Sequence, residues 1–179
     1  LDQVLPEELK PFYPFYFLAW TTTPWTLPSN TALTVGSKIE YCFVVTFNQY
    51  TKKKTTVLLA KALIEKVFTK NFFKIDNEND LDTFKNSDVK IPYFILGSCL
   101  GKNLENLKYD RIWEESPLPI ENPENAFRVI LGDFVTTEDG TGIVHTAPTF
   151  GADDYKAAKS AVPEVPPLQV LDEKGNKVY

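Results

Sequence analysis

Residues 15–30 read Phe-Tyr-Phe-Leu-Ala-Trp-Thr-Thr-Thr-Pro-Trp-Thr-Leu-Pro-Ser-Asn. Aromatic and β-branched side chains at that density suit a pleated, half-buried surface, and they predict a strand over residues 15–22. Pro24 and Pro28 set its limit. Neither donates a backbone hydrogen bond, so a regular central strand has to stop near Thr23. The same pattern of short runs and breaks continues along the chain. Residues 31–35 and 40–47 read as strands, 48–54 as a turn, and 55–60 as the returning arm of a hairpin. Leu63, Ile64, Val67 and Phe68 have helical spacing and predict a helix over 61–70. Residues 79–88 are polar and read as an exposed loop or short helix. Residues 90–97 are apolar, but Pro92 argues against a central strand that begins before it. Residues 108–113, 126–131 and 141–147 read as further strands. Residues 151–161 read as a helix with acidic residues in its first turn, where the helix dipole favours them. Residues 167–179 read as a final hairpin fragment. About seven to nine short strands and two or three helices make the chain mainly β. The expected architecture is a closed or strongly curved β-barrel with a few peripheral α-helices. Residues 1–14, punctuated by proline, are expected to be a lead-in linker, and 15–179 a single domain.

The chain has 179 residues, enough to bury one real core. Its thirteen Phe and eight Tyr suit a β-rich interior. A net charge of -5 excludes a general basic footprint for nucleic acid. It leaves room for a narrow site that reads one nucleotide end by stacking and local hydrogen bonds. Cys42 and Cys99 are too few for a disulfide scaffold and read as reduced thiols of an intracellular protein. No apolar run approaches the length of a membrane span, and no signal peptide opens the chain. There is no methionine, so the expectation is a domain cut out of a longer protein.

Two stretches carry candidate chemistry. The first places Thr21, Thr22 and Thr23 where a strand leaves a sheet, a common place for binding groups. The second, residues 140–155, reads Gly-Thr-Gly-Ile-Val-His-Thr-Ala-Pro-Thr-Phe-Gly-Ala-Asp-Asp-Tyr. Gly140 and Gly142 allow tight turns. A strand carries His145, the sole histidine, and Pro148 ends it. Gly151 precedes a helix that holds Asp153 and Asp154. An imidazole and two carboxylates are thereby grouped around one turn. Taken singly, each feature also has a plain structural reading. The threonines suit a strand, a lone histidine serves structure as readily as function, and the aspartates can cap a helix. Trp20 and Trp25 can be packing residues. One histidine, two adjacent aspartates and distant cysteines give no recognised metal spacing. No Ser-His-Asp order or phosphate loop is present.

Together, residues 21–30 and 140–155 resemble the editing domain, connective polypeptide 1, of isoleucyl-tRNA synthetase, a class I aminoacyl-tRNA synthetase. The likeness anchors both ends of residues 15–179 and is loose over 70–125. The sister enzymes for valine and leucine share this plan but carry arginine in the first motif, Thr-Thr-Arg-Pro. Thr23 before Pro24, and Trp25 after it, favour the isoleucine enzyme. Phe150-Gly151-Ala152-Asp153-Asp154 is closest to the eukaryotic-like branch, which also occurs in bacteria.

The resemblance implies a β-barrel editing fold with a pocket walled by both motifs. Thr21, Thr22, Thr23 and Asp154 are its implied catalytic residues, and Trp25, Asn30, His145 and Asp153 its implied substrate-binding residues. The family aspartate falls nine positions after the histidine, on Asp154. The implied activity is hydrolysis of valyl-tRNA(Ile) at the terminal adenosine ester. No metal or cofactor is implied for this domain. ATP and Mg belong to the parent enzyme, whose His-Ile-Gly-His and Lys-Met-Ser-Lys-Ser signatures are absent here. The implied partners are the 3′ end of tRNA(Ile) carrying a non-cognate amino acid and the rest of the parent synthetase, with no membrane, in a cytoplasmic monomer. Three alternatives stay open: the editing domain of the valine or leucine enzyme, a non-catalytic β-barrel that binds an RNA end, and an inactive editing-like scaffold.

Overall fold

The computed structural model describes residues 7–115 and 118–169. Within them the long hairpin forms where alternation and turn chemistry agree. Strands β3 (Glu40–Phe47) and β4 (Lys54–Ala60) pair antiparallel, from Tyr41 opposite Ala60 to Phe47 opposite Lys54. The side chain of Asn48 accepts hydrogen bonds from the amides of Tyr50 and Thr51, the local bonding that makes Asn a turn residue. Lys52, at φ 59°, completes the reversal.

Three more strands extend this hairpin into a sheet. β6 (Ile91–Leu100) pairs antiparallel with β3, and β5 (Phe72–Lys74) pairs parallel with β6. β1 (Tyr16–Phe17) pairs parallel with β4, giving a five-stranded sheet of order β1-β4-β3-β6-β5. A second sheet has β2 (Ala32–Val35) at its centre, parallel to β7 (Arg128–Leu131) and antiparallel to β8 (Ile143–Thr146). Helix α1 (Ile64–Val67) follows β4, and α2 (Ala152–Ser160) follows β8. Among the described residues no helix is long and apolar enough to cross a membrane.

The two sheets share one core. Leu33 and Val35 of β2, Tyr41 and Phe43 of β3, Leu58 of β4, Val129 of β7 and Ile143 of β8 belong to a single buried cluster. Leu9 is fully buried in the same cluster, and Phe12 stacks on Phe43 at 4.2 Å. Residues 7–12 therefore contribute to the core.

Several expectations need correction. The described residues form a mainly β fold of two open sheets, not a closed barrel. β5 and β7 are edges and do not pair with each other. The strand expected over 15–22 is confined to Tyr16–Phe17 and a single bridge at Trp20. The chain changes partners there, leaving β4 for β8, so no one ladder continues. The helix expected over 61–70 is a 3₁₀ turn, Lys61–Leu63, that runs into the four-residue α1. Lys70, at φ 39°, lies outside any helical conformation. Residues 108–113 are not a strand. Lys108 makes one antiparallel bridge with Arg128, and Phe127, at φ 54°, turns the partner chain away from a further ladder. β6 starts at Ile91, ahead of Pro92. The proline is tolerated because pairing with β3 begins only at Phe94. On the β5 side, Ile91 donates to Asn71 and Tyr93 accepts from Ile75, so no donor is required of Pro92. The hairpin expected over 167–179 lies mostly outside the described residues.

Arg128 ties the loops around β7. Its side chain is 3% exposed and donates to the carbonyl of Asn125 at 3.0 Å, to Asn106 Oδ1 at 2.5 Å and to the carbonyl of Pro163. Methionine in its place would leave the Asn125, Asn106 and Pro163 acceptors without their charged donor. Arg128→Met is expected to lower stability by about 1.5–3 kcal/mol, the worth of hydrogen bonds to a charged group. Urea unfolding measures this, and a loss under about 0.5 kcal/mol would show that the clasp does not hold the loops.

Candidate active site

The threonine-rich segment and the histidine strand meet through Trp20. Its amide donates to the Ile143 carbonyl at 2.8 Å, and its carbonyl accepts from the His145 amide at 3.1 Å. The bridge between Trp20 and Val144 is parallel, so the chain direction carries Thr21 to Thr23 along the His145–Ala147 side. Gly140 makes this approach possible. Its φ of 74° favours glycine, and a Cβ there would lie 2.7 Å from the Trp20 ring. Beyond Thr23 a 3₁₀ helix, Pro24–Ser29, turns the chain back. Proline suits its first position because no donor is needed there. The turn is closed by the Thr26 amide on the Thr23 carbonyl, 3.0 Å, and Thr26 is buried.

A continuous polar chain results. Thr21 Oγ1 and Thr23 Oγ1 are 3.4 Å apart, and Thr23 Oγ1 and Thr26 Oγ1 3.2 Å. Thr26 Oγ1 lies 3.0 Å from His145 Nε2, and Asn30 Nδ2 lies 2.8 Å from His145 Nδ1. Asn30 Oδ1 accepts from the Tyr109 hydroxyl at 2.5 Å. The Asn30 amide orientation follows from its other contacts. Nδ2 donates to the Ala32 carbonyl at 2.9 Å and lies 3.4 Å from that of Thr146. A donor therefore faces Nδ1 of the histidine, which has to accept, so the neutral ring carries its proton on Nε2 and donates to Thr26. Thr26 passes its own proton to the Thr23 carbonyl at 2.8 Å.

Asp154 joins the site from α2. Its Oδ2 accepts from the Ala147 amide at 2.8 Å, two residues beyond His145. Gly151 leaves the space for this fold-back, since a Cβ there would come within 3.0 Å of Asp154 Cγ. Burial raises the Asp154 pKa above the ordinary 3.8, the Ala147 amide opposes that shift, and the charge of Asp153 adds to it. Asp153 itself is exposed in the first turn of α2.

The structure thus links Thr21, Thr23, Asn30 and His145 in one network and ties Asp154 to the same strand end. Thr22 is exposed, and Trp25 is 75% exposed on the outside of the 3₁₀ turn. A ring so open to solvent is not a packing residue. Two members of the network, Thr26 and Tyr109, were not expected. Thr26 has a local signal, three residues after Thr23 behind a proline. Tyr109 has none, because it reaches Asn30 across 79 positions. A cavity of about 550 Å³ also borders His145, Asn30 and Tyr109, with Phe15, Tyr16 and Leu107 among its other lining residues. Among the described residues no group of three His, Cys, Asp or Glu side chains could hold a metal ion.

Burial pushes the His145 pKa below the ordinary 6.5, and the donor opposite Nδ1 works in the same direction. The unfolded chain then binds the proton more readily. This stabilising contribution is complete above pH 6.5 and is lost as pH falls through that value. Asp154 has the opposite sign, its raised pKa favouring the fold as pH falls toward 3.8. The only imidazole of the chain should show an NMR titration midpoint below 6.5. A midpoint at or above that value would contradict the buried, acceptor-type ring.

No protein-family model matches the chain. Curated relatives do. The chain is 52% identical over 163 residues to the isoleucine–tRNA ligase of Cytophaga hutchinsonii, covering 90% of this chain and 14% of that protein. It is 51% identical over 161 residues to that of Bacteroides fragilis, covering 89% and 13%. It is 39% identical over 163 residues to that of Picrophilus torridus, covering 89% and 12%. The chain therefore spans a small part of the length of the relatives it matches. Among solved structures, GlLeuRS-CP1 superposes with a TM-score of 0.51 at 16% identity, over 80% of this chain and 43% of that one, a likeness of fold. The chain belongs with the isoleucine–tRNA ligases, as a segment of such a class I synthetase that carries the CP1 fold.

Proposed function

We propose that this chain is the proofreading module of an isoleucine–tRNA ligase and hydrolyses the ester that joins valine to the terminal adenosine of tRNA(Ile). The observation that carries the reading is the convergence of the threonine segment, His145 and Asp154 on one strand end, in a chain whose relatives are isoleucine–tRNA ligases. The physical need is discrimination by one methylene, worth only about 1–3 kcal/mol in a pocket, a figure for which the isoleucine enzyme is itself the standard illustration. A second pocket that admits valine, excludes isoleucine and hydrolyses what enters meets that need.

Each residue has a task under this reading. Asp154 binds the substrate ammonium by a charge-assisted hydrogen bond. An opposite charge beside it also restores the ionised form that burial disfavours. His145 walls the side-chain pocket. The hydroxyls of Thr21, Thr22 and Thr23, with nearby amides, hold the carbonyl, the attacking water and the ribose hydroxyls. Trp25 and Asn30 flank the substrate, one as an exposed ring and the other as a buried anchor. An aminoacyl ester is already reactive, so an oriented water suffices without a covalent nucleophile. The partners are the 3′ end of tRNA(Ile) and the remainder of the synthetase, in the cytoplasm. ATP and Mg serve the parent's aminoacylation, outside this module.

The test is deacylation of valyl-tRNA(Ile) and isoleucyl-tRNA(Ile) by the synthetase that carries this chain, with selective loss of the valyl ester expected. Asp154→Ala should slow valyl hydrolysis by about 10- to 100-fold, the worth of a hydrogen bond to a charged group. Circular dichroism should remain that of the folded protein. Asp153→Ala should have little effect. The reverse pattern for the two aspartates would move the ammonium site by one residue and sink the assignment to Asp154.

A further inference from the structure

His145 has a hollow beside it. The ring, Asn30 and Tyr109 all line the cavity of about 550 Å³, whereas Thr21, Thr22, Thr23, Thr26 and Asp154 do not. One edge of the imidazole therefore meets the threonine network while another faces a pocket that opens to solvent past Tyr16 and Ile112. Close packing normally holds interior side chains, and a group facing an open pocket has fewer such contacts on that side. Two hydrogen bonds, to Thr26 and Asn30, hold the ring at that opening. Asn30 is in turn held by the Ala32 carbonyl and the Tyr109 hydroxyl.

Tyr109 is a fixed donor. Burial pushes its phenol far above the ordinary range, despite the opposing hydrogen bond to Asn30. Its ring is held edge-on against Phe17 at 6.4 Å and Phe127 at 6.2 Å. The hydroxyl thus donates to Asn30 Oδ1 and, with the Ala32 and Thr146 carbonyls that face Nδ2, sets which way the Asn30 amide faces.

We propose that Tyr109, acting through Asn30, is a positioning residue that fixes His145 as the Nε2–H tautomer and holds its ring at the edge of the hollow. The consequence for specificity rests on the editing reading. A wall backed by a cavity excludes a larger side chain only while it is tied in place, so rejection of isoleucyl ester depends on a hydroxyl remote from the reacting atoms.

Tyr109→Phe removes that hydroxyl and keeps the ring packing. Nitrogen NMR of the single imidazole in this chain should show the Nε2–H form alone in the native protein and a mixture of tautomers in the variant. In the synthetase, the ratio of isoleucyl-tRNA(Ile) to valyl-tRNA(Ile) deacylation should rise about 3- to 10-fold, the worth of one hydrogen bond. A native Nδ1–H ring, or a folded variant that stays wholly Nε2–H, overturns the positioning role. An unchanged ratio in a variant that still hydrolyses valyl ester overturns the specificity role. A native synthetase that hydrolyses neither ester defeats the editing reading, and the tautomer measurement then decides the positioning role alone.

Discussion

Two hydrogen bonds on Trp20 hold the rest of the molecule in register. Its amide on Ile143 and its carbonyl on the His145 amide attach the segment that leaves β1 to the edge of β8. β1 belongs to one sheet and β8 to the other, so Trp20 joins them. The turn that precedes β8 is shaped for this. Gly140 admits the Trp20 ring, and Gly142, at φ 75°, admits Ala60 at the end of β4, whose methyl would lie 2.5 Å from any Cβ there. The Ala60 amide then donates to Thr141 at 2.8 Å, and the Tyr41 hydroxyl to Gly142 at 2.6 Å. One glycine pair therefore brings both sheets to the same turn. The cluster that contains Leu58, Tyr41 and Ile143 can close only because of it.

The polar network is placed where the fold tolerates its cost. Buried polar groups are acceptable when every partner is supplied, because an unpaired one loses its hydration without return. Thr26, Asn30 and His145 are each bonded, and Thr34 shares a 2.6 Å hydrogen bond with Thr146. The exceptions flank Asn30. Among the described residues the hydroxyls of Ser29 and Thr31 are buried with no hydrogen-bond partner.

What was legible in the sequence follows the range of the interactions. The β3–β4 hairpin, β2, β7, β8 and α2 could be read because their signals are local: alternation, an Asn turn, a glycine ahead of a helix. Residues 108–113 look like a strand by composition, but the left-handed conformation of Phe127, a property of the partner chain, ends the ladder after one bridge. Residues 15–22 look like one strand and are divided between two sheets. The choice between a structural and a functional histidine could not be made from a lone residue on a strand. In the fold His145 is buried like a structural residue and bonded to the threonine segment like a site residue. Tyr109 was beyond reach, since nothing near it in the chain signals Asn30.

The same geometry explains why a short polar motif can gauge length under the editing reading. The wall and the ammonium anchor are not on separate mobile loops. His145 lies in β8, and Asp154 is pinned to the amide of Ala147, two positions along the same chain. Extended backbone advances about 3.3 Å per residue, so the backbone positions that carry the wall and receive the anchor lie about 7 Å apart, and one hydrogen bond holds Asp154 to the second. Gly151 keeps the carboxylate against that amide, and Asn30 keeps the ring against Thr26. A substrate amino acid held by its ammonium then meets a stop built on the same strand end. The threonines need no comparable rigidity, because they orient water and ester oxygens that adjust by small rotations of a hydroxyl. The division matches the structure: His145 is buried with both ring nitrogens bonded, Asp154 is half-buried and held by the Ala147 amide, and Thr22 and Thr23 stand at the exposed rim.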